Sequence, residues 1–118
     1  MTLIYVKSID CLKIYCREAL VCGDMVFLSG QLGEGVTVKE QTKSALAIID
    51  GLLAKCGTDK SRRVEMTIWL ADITRDYALM NEAYDDWIGQ GPPPPRACIE
   101  GKLYSSEYFV EIRVVASL

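Results

Sequence analysis

Val64-Glu65-Met66-Thr67-Ile68-Trp69-Leu70 is the stretch on which the fold turns. Val64, Met66, Ile68 and Leu70 alternate with Glu65, Thr67 and Trp69, so the two sets face opposite sides of an extended strand. Apolar residues occur in both sets, as in a central strand covered partly on each face. Helical patterns bracket it. Upstream, Thr37-Val38-Lys39-Glu40 matches a capping box. Val38, Thr42, Ala45, Leu46, Ile49, Leu52, Leu53 and Cys56 then recur at helical spacing up to Gly57, a C′ residue. Downstream, Thr74 could cap a second helix whose apolar stripe is Tyr77, Met80, Tyr84, Trp87 and Ile88, ended by Gly89 and Gly91.

Both ends of the chain read as extended. Leu12, Ile14 and Cys16 alternate with Lys13, Tyr15 and Arg17, and Met25-Val26-Phe27-Leu28-Ser29 follows the turn dipeptide Gly23-Asp24, which predicts a first hairpin. Pro92 to Pro95 deliver Arg96-Ala97-Cys98-Ile99-Glu100 into a strand, and Tyr108 to Val115 alternates again. The predicted order is β-β-α-β-α-β-β, an α+β fold with two helices packed on one face of a mixed sheet. The other face keeps apolar positions such as Trp69, Phe109 and Val115, which predicts a homo-oligomer with the site near subunit boundaries.

The 118 residues, half of them apolar, support one core, so a single domain over 1–118 is expected. No apolar run reaches transmembrane length, and Met1 to Lys7 lacks the apolar region of a secretory signal, which predicts a cytoplasmic protein without a membrane partner. Five cysteines, Cys11, Cys16, Cys22, Cys56 and Cys98, lack CxxC spacing and read as reduced thiols, with no metal site. The chain contains no histidine. Every Ser-His, Cys-His and His-His arrangement is thereby excluded, and chemistry must rest on Glu, Asp, Arg, Tyr, Cys or an ordered water. A net charge of −3 without a basic stripe makes nucleic acid a poor partner, and Lys60-Ser61-Arg62-Arg63 reads as a solvated loop.

Alternation places Arg96, Cys98 and Glu100 on one face of their strand, and Glu111 and Arg113 on the face opposite Val110, Ile112 and Val114. A hairpin joining the two strands could bring these polar groups side by side as a small-anion site. Burying such charges costs several kcal/mol each unless they are paired or liganded. From the residues alone, Arg96 could instead pair with Glu100 or Glu111, and Glu111 with Arg113. Cys98, with no histidine to activate it, reads as a lining residue. Trp69, Tyr77, Tyr84 and Trp87 lie at core spacing. The proline run reads as a rigid connector rather than a ligand for an SH3 or WW domain, its stiffness helping to fix Arg96.

Val26-Phe27-Leu28-Ser29-Gly30-Gln31, Thr67-Ile68-Trp69-Leu70-Ala71-Asp72, Met80-Asn81-Glu82-Ala83-Tyr84, Pro95-Arg96-Ala97-Cys98 and Val110-Glu111-Ile112 resemble, in that order and spacing, the YjgF/RidA family. The resemblance implies a chorismate-mutase-like α+β fold, a homotrimer with ligand sites in the clefts between subunits, and cofactor-independent hydrolysis of enamine/imine intermediates such as 2-aminoacrylate to 2-keto acids and ammonia. It implies Arg96 as carboxylate anchor, Glu111 as the residue that positions the hydrolytic water, and Ser29, Gly30, Cys98, Asn81 and Tyr84 as residues near the substrate. Two other activities stay open beside deamination: trimeric binding of small carboxylates without turnover, and ribonuclease or translation inhibition. The family's Gly-Pro-Tyr segment is replaced by Lys13-Ile14-Tyr15-Cys16-Arg17, with Cys16 at the tyrosine's place by ungapped counting from Ser29. Gly33-Glu34-Gly35 stands where the family has a longer loop.

Overall fold

The computed structural model describes residues 3–6 and 18–118. Its elements are β1 (Leu3–Val6), β2 (Ala19–Cys22), β3 (Met25–Leu28), β4 (Gln31–Leu32), α1 (Val38–Lys55), β5 (Arg63–Leu70), α2 (Ile73–Ile88), β6 (Arg96–Glu100) and β7 (Val110–Ser117), with a short 3-10 turn at Lys60–Arg62 before β5. The sheet runs β1-β2-β3-β7-β5-β6, and β4 pairs with β7. All the strand pairs are antiparallel except β5 with β6, which the α2 crossover makes parallel. The α+β layering matches the expectation, with the short strands β1 and β4 added to the predicted order.

Three local expectations change. The strand that turns at Gly23-Asp24 into β3 is Ala19–Cys22, while the alternation from Leu12 to Cys16 lies outside the described residues. Asp72, not Thr74, caps α2: its carboxylate accepts from the Arg75 amide at 3.0 Å. Phe109 belongs to the helix side, since it packs on the buried core and the Arg75 guanidinium of α2 stacks over its ring at 5.1 Å.

The core lies between the sheet and the two helices. From β5 it takes Met66, Ile68 and Leu70, and from β7 Val110, Ile112, Val114 and Ala116, all at most 1% exposed, which fixes the register of both strands. Leu46, Ile49 and Leu53 of α1 and Met80 and Tyr84 of α2 close over them. The capping box forms as read: Thr37 Oγ1 accepts from the Glu40 amide, and the Glu40 carboxylate accepts from the Thr37 amide. Gly57, at φ 83°, occupies the left-handed C′ position that favours glycine.

Among the described residues, Gln41 is the buried polar side chain whose bonds span the fold. It is 1% exposed; its amide nitrogen donates to Gly35 O at 3.0 Å and Glu107 O at 2.8 Å, and its oxygen accepts from the Phe109 amide at 2.8 Å. The start of α1 is thereby stapled to the loop that enters β7. Gln41→Leu keeps the volume but removes the partner of three part-buried backbone groups, so it is expected to lower unfolding free energy by roughly 1–3 kcal/mol. The midpoint of urea denaturation, at unchanged m-value, measures this; a shift below about 0.5 kcal/mol contradicts the staple.

Candidate functional site

Arg96 opens β6 with its side chain on the helix side, because its register partner is Met66 and that face of β5 is buried. Met66 N donates to Pro95 O at 3.0 Å, so the proline run feeds directly into the sheet. One guanidinium nitrogen, Nη1, donates to Asn81 Oδ1 at 2.8 Å, and the other, Nη2, to the Tyr77 hydroxyl at 3.3 Å. The guanidinium carbon lies 4.7 Å from the centre of the Tyr84 ring, within cation–π range. All three partners belong to α2, and all are neutral. Among the described residues Arg96 has no carboxylate partner: the ion pairs are Lys39–Glu82, Arg75–Asp72 and Arg75–Asp76. Glu100, four residues along, instead accepts from the Ile73 amide at 3.1 Å, at the N-terminus of α2, where a carboxylate is favoured by the helix dipole.

Glu111 occupies the opposite sheet face, beside Trp69 of β5 and Leu32 of β4 in register. Its carboxylate lies over Gly30: a Cβ built there would meet Glu111 Oε2 at 2.6 Å, so any other residue would make the carboxylate shift from its place. Ser29 and Gln31 hold this turn. The Ser29 amide donates to Glu18 O at 2.9 Å, and Gln31 Nε2 donates back to Ser29 O and Oγ, each at 3.1 Å. Neither Glu111 nor Arg113 takes part in an ion pair among the described residues.

The expected hairpin between the last two strands does not form. β5 lies between β6 and β7, and the pleat turns Arg96 and Glu111 to opposite faces. A single chain therefore gathers Arg96, Cys98, Asn81 and Tyr84 on the helix side and Ser29, Gly30 and Glu111 on the other. Cys98 is half-buried beside Arg96; burial pushes its thiol above the ordinary cysteine range, and the guanidinium offsets this only in part. Burial likewise raises the Tyr84 phenol, against the opposing pull of Arg96. No group of three or more His, Cys, Asp or Glu among the described residues could hold a metal ion. The Gly-Pro-Tyr replacement at Lys13 to Arg17 lies outside the described residues.

Residues 6–118 match the family described as Endoribonuclease L-PSP. A RutC family protein of Haemophilus influenzae is 39% identical over 104 residues, 85% of this chain and 88% of that one. The RutC family protein YoaB of Escherichia coli is 43% identical over 79 residues, 67% of this chain and 68% of that one. The crystal structure of NMB1025 from Neisseria meningitidis, a member of the YjgF protein family, superposes with a TM-score of 0.91 at 38% identity, over 99% of this chain and 95% of that one. The chain belongs to the YjgF/RutC family.

Within this YjgF/RutC chain, sequence reasoning overlooked Tyr77. It sits at core spacing but is 43% exposed and bonded to Arg96. The signal was present: Tyr77, Asn81 and Tyr84 are spaced by four and three residues, so they share one helix face. No helix is long and apolar enough to cross a membrane among the described residues.

Because the Cys98 thiol titrates above the usual range, iodoacetamide should modify Cys98 at pH 7.5 more slowly than a free cysteine, and faster as pH rises beyond 9. Peptide mass spectrometry resolves this cysteine from the others; rapid modification at neutral pH would mark an activated thiol instead.

Proposed function

We propose that this chain hydrolyses small 2-imino or 2-enamino acids to 2-keto acids and ammonia, at sites completed between the protomers of a homotrimer. One observation carries the reading: a half-buried guanidinium held by an amide, a phenol and an aromatic face, with no carboxylate among the described residues to neutralise it. A structural arginine in that setting needs a counter-ion, whereas a ligand-binding one leaves its place for the ligand. The planar fork suits a carboxylate, which it can grip through two parallel charge-assisted bonds.

Glu111 faces away from Arg96 within one protomer, so the reading requires a second copy to bring a Glu111 to the acid held by Arg96. The partly apolar open face, with Phe27, Trp69 and Ile99, offers surface for that assembly, Phe27 and Ile99 being 37% and 46% exposed, whereas Val115 on the same face is already buried within the chain. Once Arg96 fixes the carboxylate, a water positioned by Glu111 attacks the adjacent imine carbon. The water's proton passes by way of the carboxylate to the nitrogen, giving a carbinolamine. That intermediate collapses as the C–N bond breaks, releasing ammonia and leaving the 2-keto acid. The substrate arrives activated, and no cofactor enters the balance.

The family description as an endoribonuclease raises RNA cleavage as a second reading. A net charge of −3 and the absence of histidine count against it, since backbone phosphates would be repelled and the usual acid–base pair is missing.

In a coupled assay that generates 2-aminoacrylate, Arg96→Ala should reduce kcat/KM for keto-acid release roughly a hundredfold or more, and Arg96→Lys should recover little of it. Glu111→Gln should lower kcat by about a hundredfold with KM nearly unchanged. Equal turnover by all three variants and the parent would discard the reading; ligand binding without turnover would leave a carboxylate-binding protein.

A further inference from the structure

We infer that Tyr77 is an additional ligand-binding residue of the Arg96 site, its phenolic proton donated to the same carboxylate that the guanidinium grips. The inference rests on the proposed anchoring role of Arg96 and adds to it a donor that sets the preference for charged over neutral ligands. The reasoning is a balance of donors and acceptors. Tyr77 Oη already accepts from Arg96 Nη2 at 3.3 Å, so the oxygen is oriented while its own proton has no partner among the described residues. Asn81 Oδ1 likewise accepts from Arg96 Nη1, and the Asn81 amide hydrogens have no partner among the described residues. A guanidinium carries five N–H donors, of which these two partners take two.

Among the described residues Asn81 Oδ1 and Tyr77 Oη each accept one bond from Arg96, and the hydrogens of the Tyr77 hydroxyl and the Asn81 amide stay available beside a full positive charge. Such a cluster favours an anion over a neutral amide, because an amide accepts from the same donors but brings no charge to pair with the guanidinium. Tyr77 is 43% exposed, which leaves its hydroxyl reachable, whereas Tyr84 is 6% exposed and offers Arg96 its ring face. Tyr77 and Tyr84 lie two helical turns apart on one face of α2, with Asn81 between them, and the guanidinium centre is 5.9 Å from the Tyr77 ring and 4.7 Å from the Tyr84 ring. The two rings divide the work: one supports the cation from its face, the other extends the row of donors past it.

Pyruvate and its neutral isostere pyruvamide are the probes, titrated by calorimetry into the full chain. Tyr77→Phe keeps the ring and removes only the hydroxyl. It should weaken pyruvate binding about tenfold or more and pyruvamide binding less, since a hydrogen bond to a charged acceptor is the stronger one lost. Arg96→Ala should abolish pyruvate binding. A crystal of the parent with pyruvate should place Tyr77 Oη within about 3.0 Å of a carboxylate oxygen. Full pyruvate affinity in Tyr77→Phe, or a bound carboxylate that does not touch Tyr77, overturns the inference while leaving Arg96 as anchor. Undiminished pyruvate binding in Arg96→Ala, or no pyruvate binding by the parent chain, overturns the anchor and the inference with it.

Discussion

A strand can offer each side chain to only one face of its sheet, and in this fold that constraint decides where chemistry can happen. β5 is locked on both flanks: Met66, Ile68 and Leu70 pair with Arg96, Cys98 and Glu100 on one side and with Val114, Ile112 and Val110 on the other. Because those three β5 residues are almost wholly buried under the helices, a slip of one residue would turn the core outward, at a cost no domain of this size could bear. Arg96 is therefore committed to the helix side. Glu111, alternating with Val110 and Ile112, is as firmly committed to the other.

On the helix side the surroundings of Arg96 are unusual in being neutral. Asn81, Tyr77 and Tyr84 satisfy geometry without supplying negative charge, while the nearest carboxylate along the strand, Glu100, is occupied at the start of α2. At an effective dielectric of about 20, a unit anion about 4 Å away is attracted by about 4 kcal/mol, enough to decide between an acid and a neutral analogue. On the open side the turn at Gly30 does the corresponding work by absence, since any side chain there would displace the Glu111 carboxylate.

Much of this was readable from the chain. The capping box at Thr37, the left-handed Gly57, the alternation of β5 and the two helical stripes all declare themselves through local periodicity and turn chemistry. Most of what escaped depended on partners distant in sequence. β6 returns through α2 to pair in parallel with β5 rather than antiparallel with β7, a choice that adjacency in the chain conceals. Gln41 looked like one more polar helix residue because its three bonds reach segments 6, 66 and 68 residues away. Thr74 lost the cap to Asp72, two residues earlier, whose carboxylate reaches the Arg75 amide. Tyr77 has the same spacing whether it faces the core or a neighbouring arginine, so periodicity alone could not separate the two.

The bond from Glu100 to Ile73 has a mechanical consequence. β6 is tied to α2 at both ends, by Glu100 at the helix start and by Arg96 at Asn81. Four residues of strand put these ties about 13 Å apart. A single tie would act as a pivot, but two so separated make a brace: slippage of ~0.5 Å at either end tilts the strand by only ~2°, well inside the 10–20° tolerance of a working constellation. The two ties thus add to the β5 register in holding the aim of the guanidinium.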